Sequence, residues 1–425
     1  MTSGSPWLTA LALFSRDAWL VLGSAFVMGF TIFGGIYSLL FNLYLLRLGY
    51  DLGFIGLINA AALLGWAVAC LPAGTVGGWL GNRLAMVLGL SLALVGYLLV
   101  PFCELIPPGL GRSAWLLVAY LAGNVFIALY DVNSQPFLAQ ASSPVERDHL
   151  FATQAALWPV AAFLGSLAGG VLPGIFGALL PTGSPSAPYR YSLILCAFLL
   201  GFGVWALLAT RGGQTSPREG QTSTDRRQTP PGEGQTPATI FPSLGIVFLG
   251  IALFLQGTGE GAVRTFFNVY LDTTFRVPTE VLGLLAASGN LLGAAAALLM
   301  PVISRRTGHK RLFVFGTLGI SAAVASLFFL PGMLAASVGF ILVLVLVSIT
   351  RPAVLVYLME SATQRVQTLL SSVYTMAMGL SWSAVALFGG FALATLGYPG
   401  FFLVCAVLVA VSAVAFGAQR REQLD

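Results

Sequence analysis

Long apolar segments recur from one end of the chain to the other, and they constrain its fold more than any other feature. The 425 residues are 57% hydrophobic and 8% charged, whereas a soluble protein is about 25% charged. Many of the segments reach about 20 residues, enough for a helix to cross about 30 Å of hydrocarbon. They lack the alternating pattern of a membrane β-barrel. The sequence therefore predicts an all-α integral membrane protein.

Twelve membrane helices fit the pattern best. The predicted segments are 18–46, 53–76, 85–106, 114–140, 150–178, 190–210, 243–271, 280–303, 311–331, 335–358, 367–395 and 398–417. Residues 211–240 interrupt them with a polar stretch rich in Gly, Pro, Thr and Gln, a composition typical of a flexible linker. This linker divides the chain into two predicted six-helix bundles, 1–210 and 241–425.

The two halves resemble each other. Phe41–Leu45 (FNLYL) returns as Phe267–Leu271 (FNVYL), about 226 residues later. A long repeat in an apolar chain predicts two pseudo-symmetric bundles with a site between them, the arrangement of many secondary transporters. The alignment also shows where the halves differ: Glu260 aligns with Gly34, Arg264 with Ser38, Arg305 with Gly78 and Arg351 with Gln135.

The distribution of basic residues predicts the orientation. Of the 20 Arg and Lys residues, 14 fall in the segments on the side of both termini, if twelve helices are present. Because cytoplasmic loops carry the excess of positive charge, we expect both termini in the cytoplasm, most simply at the plasma (inner) membrane. The net charge of +5 then reports topology and does not indicate nucleic-acid binding.

Two loops carry a partial motif. Gly74–Arg83 (GTVGGWLGNR) resembles the pattern Gly-x-x-x-Asp-Arg-x-Gly-Arg-Arg, with Gly78 where the acid belongs, and Pro301–Lys310 has Arg305 at that place. Gly165–Gly170 (GSLAGG) resembles a segment of drug-exporting antiporters, although close helix packing explains its small residues equally well. With the two bundles and the long central loop, the chain resembles the major facilitator superfamily, and among its members the drug and metabolite efflux transporters. The gate-loop candidates are Gly74, Gly81, Arg83, Arg305, Gly308 and Lys310.

Four charged residues fall inside predicted helices, where a charge costs about 2.5–3.5 kcal/mol on insertion scales. They are Glu260, Arg264, Asp131 and Arg351. The family resemblance implies that the first, fourth, seventh and tenth helices, which carry all four, line a central cavity. Glu260 and Arg264 are four residues apart, so we predict an ion pair that couples protons or binds substrate. Asp131 with Arg351 is predicted as a second pair, an inner gate across the halves. A static pair that fixes helix packing is the alternative for both.

Uncharged polar and aromatic side chains on the predicted helices supply further candidates. The cavity-lining candidates are Tyr37, Asn124, Tyr130, Gln154, Trp158, Gln256, Tyr374 and Trp382. Asn42, Tyr44, Asn268 and Tyr270 lie near the outer helix ends, where gate contacts and interfacial anchoring are alternatives to substrate binding.

These features favour a transporter over other classes of membrane protein. The chain has two histidines, neither with the spacing of a metal or catalytic site, and no phosphate-binding loop, so an enzyme or an ATP-driven pump is disfavoured. We predict a monomer without cofactor, driven by the proton gradient, that exports a small apolar or amphipathic compound. The alternatives are proton-coupled uptake of an organic anion or small metabolite, lipid translocation and, less favoured, a sensor.

Overall fold

The computed structural model describes residues 14–142, 144–180, 183–211, 244–330, 332–360 and 364–418, and this part of the chain is helical with no β-strand. Apart from Arg211, the predicted linker 211–240 lies outside the described residues. The helices are α1 Arg16–Thr31, α2 Ile36–Arg47, α3 Leu52–Leu80, α4 Asn82–Leu99, α5 Leu110–Gln140, α6 Pro144–Leu179, α7 Ala187–Leu208, α8 Leu244–Phe275, α9 Thr279–Thr307, α10 His309–Phe329, α11 Met333–Glu360 and α12 Gln364–Ala418. A 3₁₀ turn, Pro101–Leu105, extends α4.

Eleven helical stretches in the described part are long and apolar enough to cross a membrane. This count differs from the predicted twelve because α12 joins the last two predicted segments across a non-helical residue, Gly397 (φ 66°, ψ 176°). A straight helix of 55 residues would be about 80 Å long, far beyond the thickness of a bilayer. Gly397, which has no Cβ, permits the backbone conformation that breaks this helix.

Hydrogen bonds between helix ends identify the two opposite ends of the helix bundle. We call the end at which the last helix of each half finishes the terminal end, and the opposite one the far end. At the terminal end, Arg83 Nη2 donates to Leu208 O at 2.8 Å, and Lys310 Nζ donates to Gly417 O at 3.1 Å. At the far end, the C-terminal part of α8 contacts the start of the last chain segment, where Thr273 Oγ1 donates to the Tyr398 hydroxyl at 3.1 Å. The residues after Gly397 therefore run back from the far end to the terminal end.

The first predicted helix, 18–46, is divided into α1 and α2. Gly34 has φ +82°, a conformation that favours glycine, and a Cβ on Gly35 would lie 1.9 Å from Phe30 O. The sequence analysis missed this break, because the segment is apolar on both sides of Gly34-Gly35. The break turns Ser38, in the first turn of α2, towards the interior cavity described below.

Small residues bring the two halves into contact. A Cβ on Gly56 of α3 would lie 2.2 Å from Ala386 O of α12, and one on Gly283 of α9 would lie 2.6 Å from Gly170 Cα of α6. Glycine at these positions lets the helix backbones approach closely, as is common in membranes. The Gly165–Gly170 segment thus packs helices together in this structure, and export need not be invoked to explain it.

Candidate functional site

Glu260, in the C-terminal half, is the most deeply buried of the charged residues that the structure describes. Its side chain is 1% exposed, and it accepts hydrogen bonds from two arginines. Arg264 Nε donates to Oε1 at 2.7 Å, as the spacing on α8 predicts. Arg351 Nη2, from α11, donates to Oε2 at 3.0 Å and to Oε1 at 3.1 Å. We call these three residues the Glu260 triad.

The triad carries one more positive charge than negative. The side chains of Arg264 and Arg351 are 41% and 39% exposed, while that of Glu260 is closed off between them. A guanidinium has five N–H donors, and each arginine here uses one nitrogen on Glu260. The excess charge, and the donors that remain on Arg264 beside the cavity described below, are therefore available to an anionic group there.

Aromatic side chains support the second arginine. The guanidinium of Arg351 lies over the ring of Trp382 at 5.5 Å from the ring centre, a cation–π distance. It also interacts with the hydroxyl of Tyr374. The indole Nε1 of Trp382 is buried and has no hydrogen-bond partner among the described residues. Tyr374 and Trp382, two of the cavity-lining candidates, thus adjoin the triad, and their contact with substrate stays a prediction.

The predicted pair of Asp131 and Arg351 is wrong for this structure. Arg351 pairs with Glu260, and Asp131 Oδ2 accepts a hydrogen bond from Trp66 Nε1 at 3.1 Å. Among the described residues, no Arg or Lys lies within ion-pair distance of Asp131. The prediction failed because similar depth in two helices does not determine which helix faces meet. Trp66, on α3, was missed altogether because a tryptophan in an apolar segment gives no sequence signal of its own.

A small cavity lies beside Arg264 and is lined by both halves of the molecule. Its volume is about 40 Å³, room for a few water molecules. Its polar lining consists of Ser38, Ser166, Arg264, Asn268 and Asn290. Ser38 and Asn290 are not among the residues that the sequence pattern predicts for the site. The repeat held a signal for Ser38, which it aligned with Arg264.

Three cavity-lining candidates are packed inside the N-terminal half, contrary to the prediction. Tyr37 donates to Tyr97 O at 3.1 Å, the Tyr130 hydroxyl lies 2.9 Å from Ser24 Oγ, and Asn124 donates to Tyr120 O in its own helix at 2.9 Å. All three side chains are less than 10% exposed. Each has a hydrogen-bond partner inside the N-terminal bundle, an arrangement that helical periodicity alone cannot distinguish from facing a cavity.

The other three candidates have separate surroundings. Gln154 accepts a hydrogen bond from Gln135 at 3.3 Å, and the ring of Trp158 lies 5.5 Å from that of Phe33. Gln256 is buried, 5% exposed, on α8 one turn before Glu260. Among the described residues, none of these three has a hydrogen bond to the Glu260 triad, and their role in binding stays a prediction.

The gate-loop candidates occupy equivalent turns in the two halves. Gly81 (φ 83°) separates α3 from α4, and Gly308 (φ 80°) separates α9 from α10. The bases that follow them, Arg83 and Lys310, each bind a carbonyl at the end of the last helix of their own half. Gly74 lies within α3, and Arg305 is exposed near the end of α9. The observed contacts stabilise each half, and a gating role stays a prediction.

At the far end, hydrogen bonds join the two halves. Arg47 Nη1 donates to Asp272 Oδ2 at 2.8 Å, and Asn42 Nδ2 donates to Thr265 O at 2.9 Å. The hydroxyls of Tyr189 and Thr279 lie 2.8 Å apart. The site between the halves is therefore closed towards the far end in this conformation.

Comparison with known proteins identifies the family to which this architecture belongs. The family model of the Major Facilitator Superfamily matches residues 22–386 and 249–423. No curated protein sequence matches the chain. The structure is similar to that of the nucleoside transporter NupG, with TM-score 0.72 and 12% identity, covering 95% of this chain and 98% of that one.

Two further solved structures are similar over nearly their whole length. The inward-open xylose transporter XylE from E. coli matches with TM-score 0.70 and 13% identity, covering 96% of this chain and 98% of that one. A POT family transporter in complex with 5-aminolevulinic acid matches with TM-score 0.70 and 14% identity, covering 94% and 95%. Identities this low show a shared fold, while the family match rests on the sequence itself. The chain therefore belongs to the major facilitator superfamily and is a secondary transporter of that type.

Proposed function

We propose that the chain moves a small organic anion together with a proton, by alternating access of the central site to the two sides of the membrane. The observation that carries the proposal is the Glu260 triad, in which two partly exposed guanidiniums share a single carboxylate. Arginine binds carboxylate and phosphate groups through paired hydrogen bonds. An anion entering the cavity meets one uncompensated positive charge.

Competition for the arginines explains how the anion and the proton are coupled. An anionic group that binds Arg264 and Arg351 displaces Glu260 from them. The freed carboxylate is then unpaired in a poorly hydrated interior, where binding a proton removes the cost of its charge. A monoanion and a proton thus load together, and the loaded site carries the same net charge as the empty one.

The number of membrane spans, the side on which the termini lie and the division into two bundles are part of the same proposal. Twelve spans, with the last two separated at Gly397, place both termini on one side, and the excess of Arg and Lys in the loops there favours the cytoplasm of a plasma membrane. Bundles 1–210 and 241–425, joined by the linker 211–240, move against each other. With this orientation the conformation described here is closed to the outside by the hydrogen bonds at the far end.

Binding to purified protein tests the anion site. A panel of small carboxylates, phosphonates and sulfonates is screened by thermal shift, since a ligand of the folded state raises its melting temperature. We expect Arg351→Gln to lose the response. Arg190→Gln is the matched control, because Arg190 pairs with Glu104 at the far end, outside the site. A panel without any hit on wild-type protein, or an unaltered response in Arg351→Gln, would contradict the proposal.

Coupling is tested in proteoliposomes that contain a pH-sensitive dye. Adding the bound anion should acidify the lumen of wild-type proteoliposomes, with empty liposomes as the control for passive leak. Glu260→Gln should still exchange labelled anion for unlabelled anion while its proton movement is lost. Proton movement that survives in Glu260→Gln would remove the coupling role from this residue.

A second candidate function is export of an amphipathic compound. It is supported by an apolar groove of about 250 Å³ between α8 and α12, lined by Val247, Gly250, Ile251, Phe254, Val373, Met376, Ala377 and Leu380. A compound dissolved in the bilayer could enter there. Energised efflux of an amphipathic dye that Ile251→Trp reduces, with no anion binding by the protein, would favour this candidate over the first.

A further inference from the structure

We propose that Ser38, Asn268 and Asn290 bind hydroxyl groups of the transported anion, which makes the substrate a small hydroxylated carboxylate. This inference rests on the proposed function, since the carboxylate of the same molecule occupies Arg264 and Arg351. It adds a second, uncharged part to the site and so narrows the substrate from organic anions in general to hydroxy acids and sugar acids.

The first argument is position. Ser38, on α2, and Asn268 and Asn290, on α8 and α9, line the same cavity as Arg264. Asn268 follows Arg264 by one helical turn on α8, so a ligand that contacts the guanidinium is within reach of the amide. The cavity spans both halves, which is where alternating access requires the substrate to bind.

The second argument is unused hydrogen-bonding capacity. Among the described residues, neither Ser38 nor Asn268 has a hydrogen-bond partner in the protein. Asn290 Nδ2 makes two long contacts, 3.4 Å to Ser166 Oγ and 3.5 Å to Gly34 O. Ser166, by contrast, is committed, because it donates to Gly34 O at 2.6 Å. Ser38 is exposed and Asn268 is half-buried, so their free donors and acceptors are open at the cavity to a hydroxylated ligand or to water.

The third argument concerns the type of group. A primary amide offers both donors and an acceptor, and a hydroxyl offers one donor and two lone pairs. Two amides and a serine therefore match neighbouring hydroxyls of one ligand, each group donating and accepting in turn. A site built to bind a hydroxyl also rejects the analogue that lacks it, because its own polar groups are then left unpaired. Apolar carboxylates of equal length should bind poorly.

Matched pairs of acids test the inference by calorimetry on the full-length purified protein. The pairs are 2,3-dihydroxypropanoate with propanoate, and 2,3,4-trihydroxybutanoate with butanoate. We expect the wild-type protein to bind each hydroxylated acid at least about tenfold more tightly than its partner. Asn268→Leu, which preserves volume, should reduce this ratio to below about threefold and leave the affinity for propanoate nearly unchanged.

Ser38→Ala is a second test, which stays informative if Asn268→Leu fails to fold. It should lower the ratio by about threefold, because one neutral hydrogen bond is lost, and Ser326→Ala, whose hydroxyl bonds within α10, is the matched control. Equal affinities for the two members of each pair in wild-type protein, or an unchanged ratio in both Asn268→Leu and Ser38→Ala, would overturn the inference. Wild-type protein that binds neither member overturns this inference alone if the anion panel gives a hit, and overturns the proposed function as well if it gives none.

Discussion

Glu260 and Asp131 are the carboxylates of two different sites, one in each half of the molecule. Glu260, in the C-terminal half, is 1% exposed and is bound by two guanidiniums. Asp131, in the N-terminal half, is partly buried and accepts a single hydrogen bond from the indole of Trp66. The chain thus places an excess positive charge on one wall of its interior and an uncompensated carboxylate in the other half.

The difference in partners indicates which of the two acids, Glu260 or Asp131, can respond to substrate binding. A charge inside the membrane costs about 2.5–3.5 kcal/mol on insertion scales, and an ion pair offsets that cost. Glu260 depends on its arginines, so a competing anion changes its surroundings completely. No cation contacts Asp131 in the described structure, so an anion at the triad takes no partner away from it. We therefore expect substrate binding to change the surroundings of Glu260 and to leave those of Asp131 unchanged.

The largest expected effect is on stability. Glu260→Gln leaves two arginines without their counter-charge, and we expect it to lower the free energy of unfolding by about 3 kcal/mol, the lower end of the usual range for a broken buried pair because both arginines are partly exposed. Asp131→Asn should cost less than about 1.5 kcal/mol, since the amide oxygen of Asn can still accept the hydrogen bond from Trp66 and no described cation loses its partner. Chemical denaturation in detergent measures both. Equal losses of unfolding free energy in the two variants would contradict the difference between the two sites.

The second effect separates the two arginines within the triad. Arg351 contacts both oxygens of Glu260 and lies over Trp382, whereas Arg264 contacts one oxygen. Lysine keeps the charge but has neither the planar fork nor the stacking surface of arginine. We expect Arg351→Lys to weaken anion binding about tenfold and Arg264→Lys about threefold. Calorimetry with the same anion on both variants gives the ratio, and a reversed order would mean that Arg264 is the main anion ligand.

Sequence patterns predicted the parts of this site that depend on local order. The membrane class follows from the apolar segments, and the contact between Glu260 and Arg264 follows from their spacing of four. The partner of Arg351 lies 91 residues away in sequence, and its identity depends on how α8 and α11 are rotated in the packed bundle. The break at Gly34 and the position of Asn290 are likewise products of packing. The same holds for Tyr37, whose hydroxyl turned out to bond inside the bundle.

The third effect concerns the contribution of Asp131, in the N-terminal half, to proton movement. Because Asp131 makes no ion pair with an arginine in the described part of the chain, Asp131→Asn should reduce anion-driven proton movement in proteoliposomes by no more than about threefold. Glu260→Gln, measured in parallel at equal protein density, should abolish it. Complete loss of proton movement in Asp131→Asn, with anion exchange preserved, would instead identify Asp131 as the proton carrier and would reverse the assignment.

The smallest effect isolates the single hydrogen bond of Asp131. Trp66→Phe keeps most of the ring area between α3 and α5 and removes only the N–H that Asp131 accepts. We expect a loss of about 0.5–1 kcal/mol in unfolding free energy and less than a twofold change in transport. In the double variant with Asp131→Leu, whose side chain cannot accept this hydrogen bond, the two losses should overlap, because both substitutions remove the same bond. Losses that add fully would show that Trp66 acts on stability through packing alone, leaving Asp131 without a functional partner in the N-terminal half.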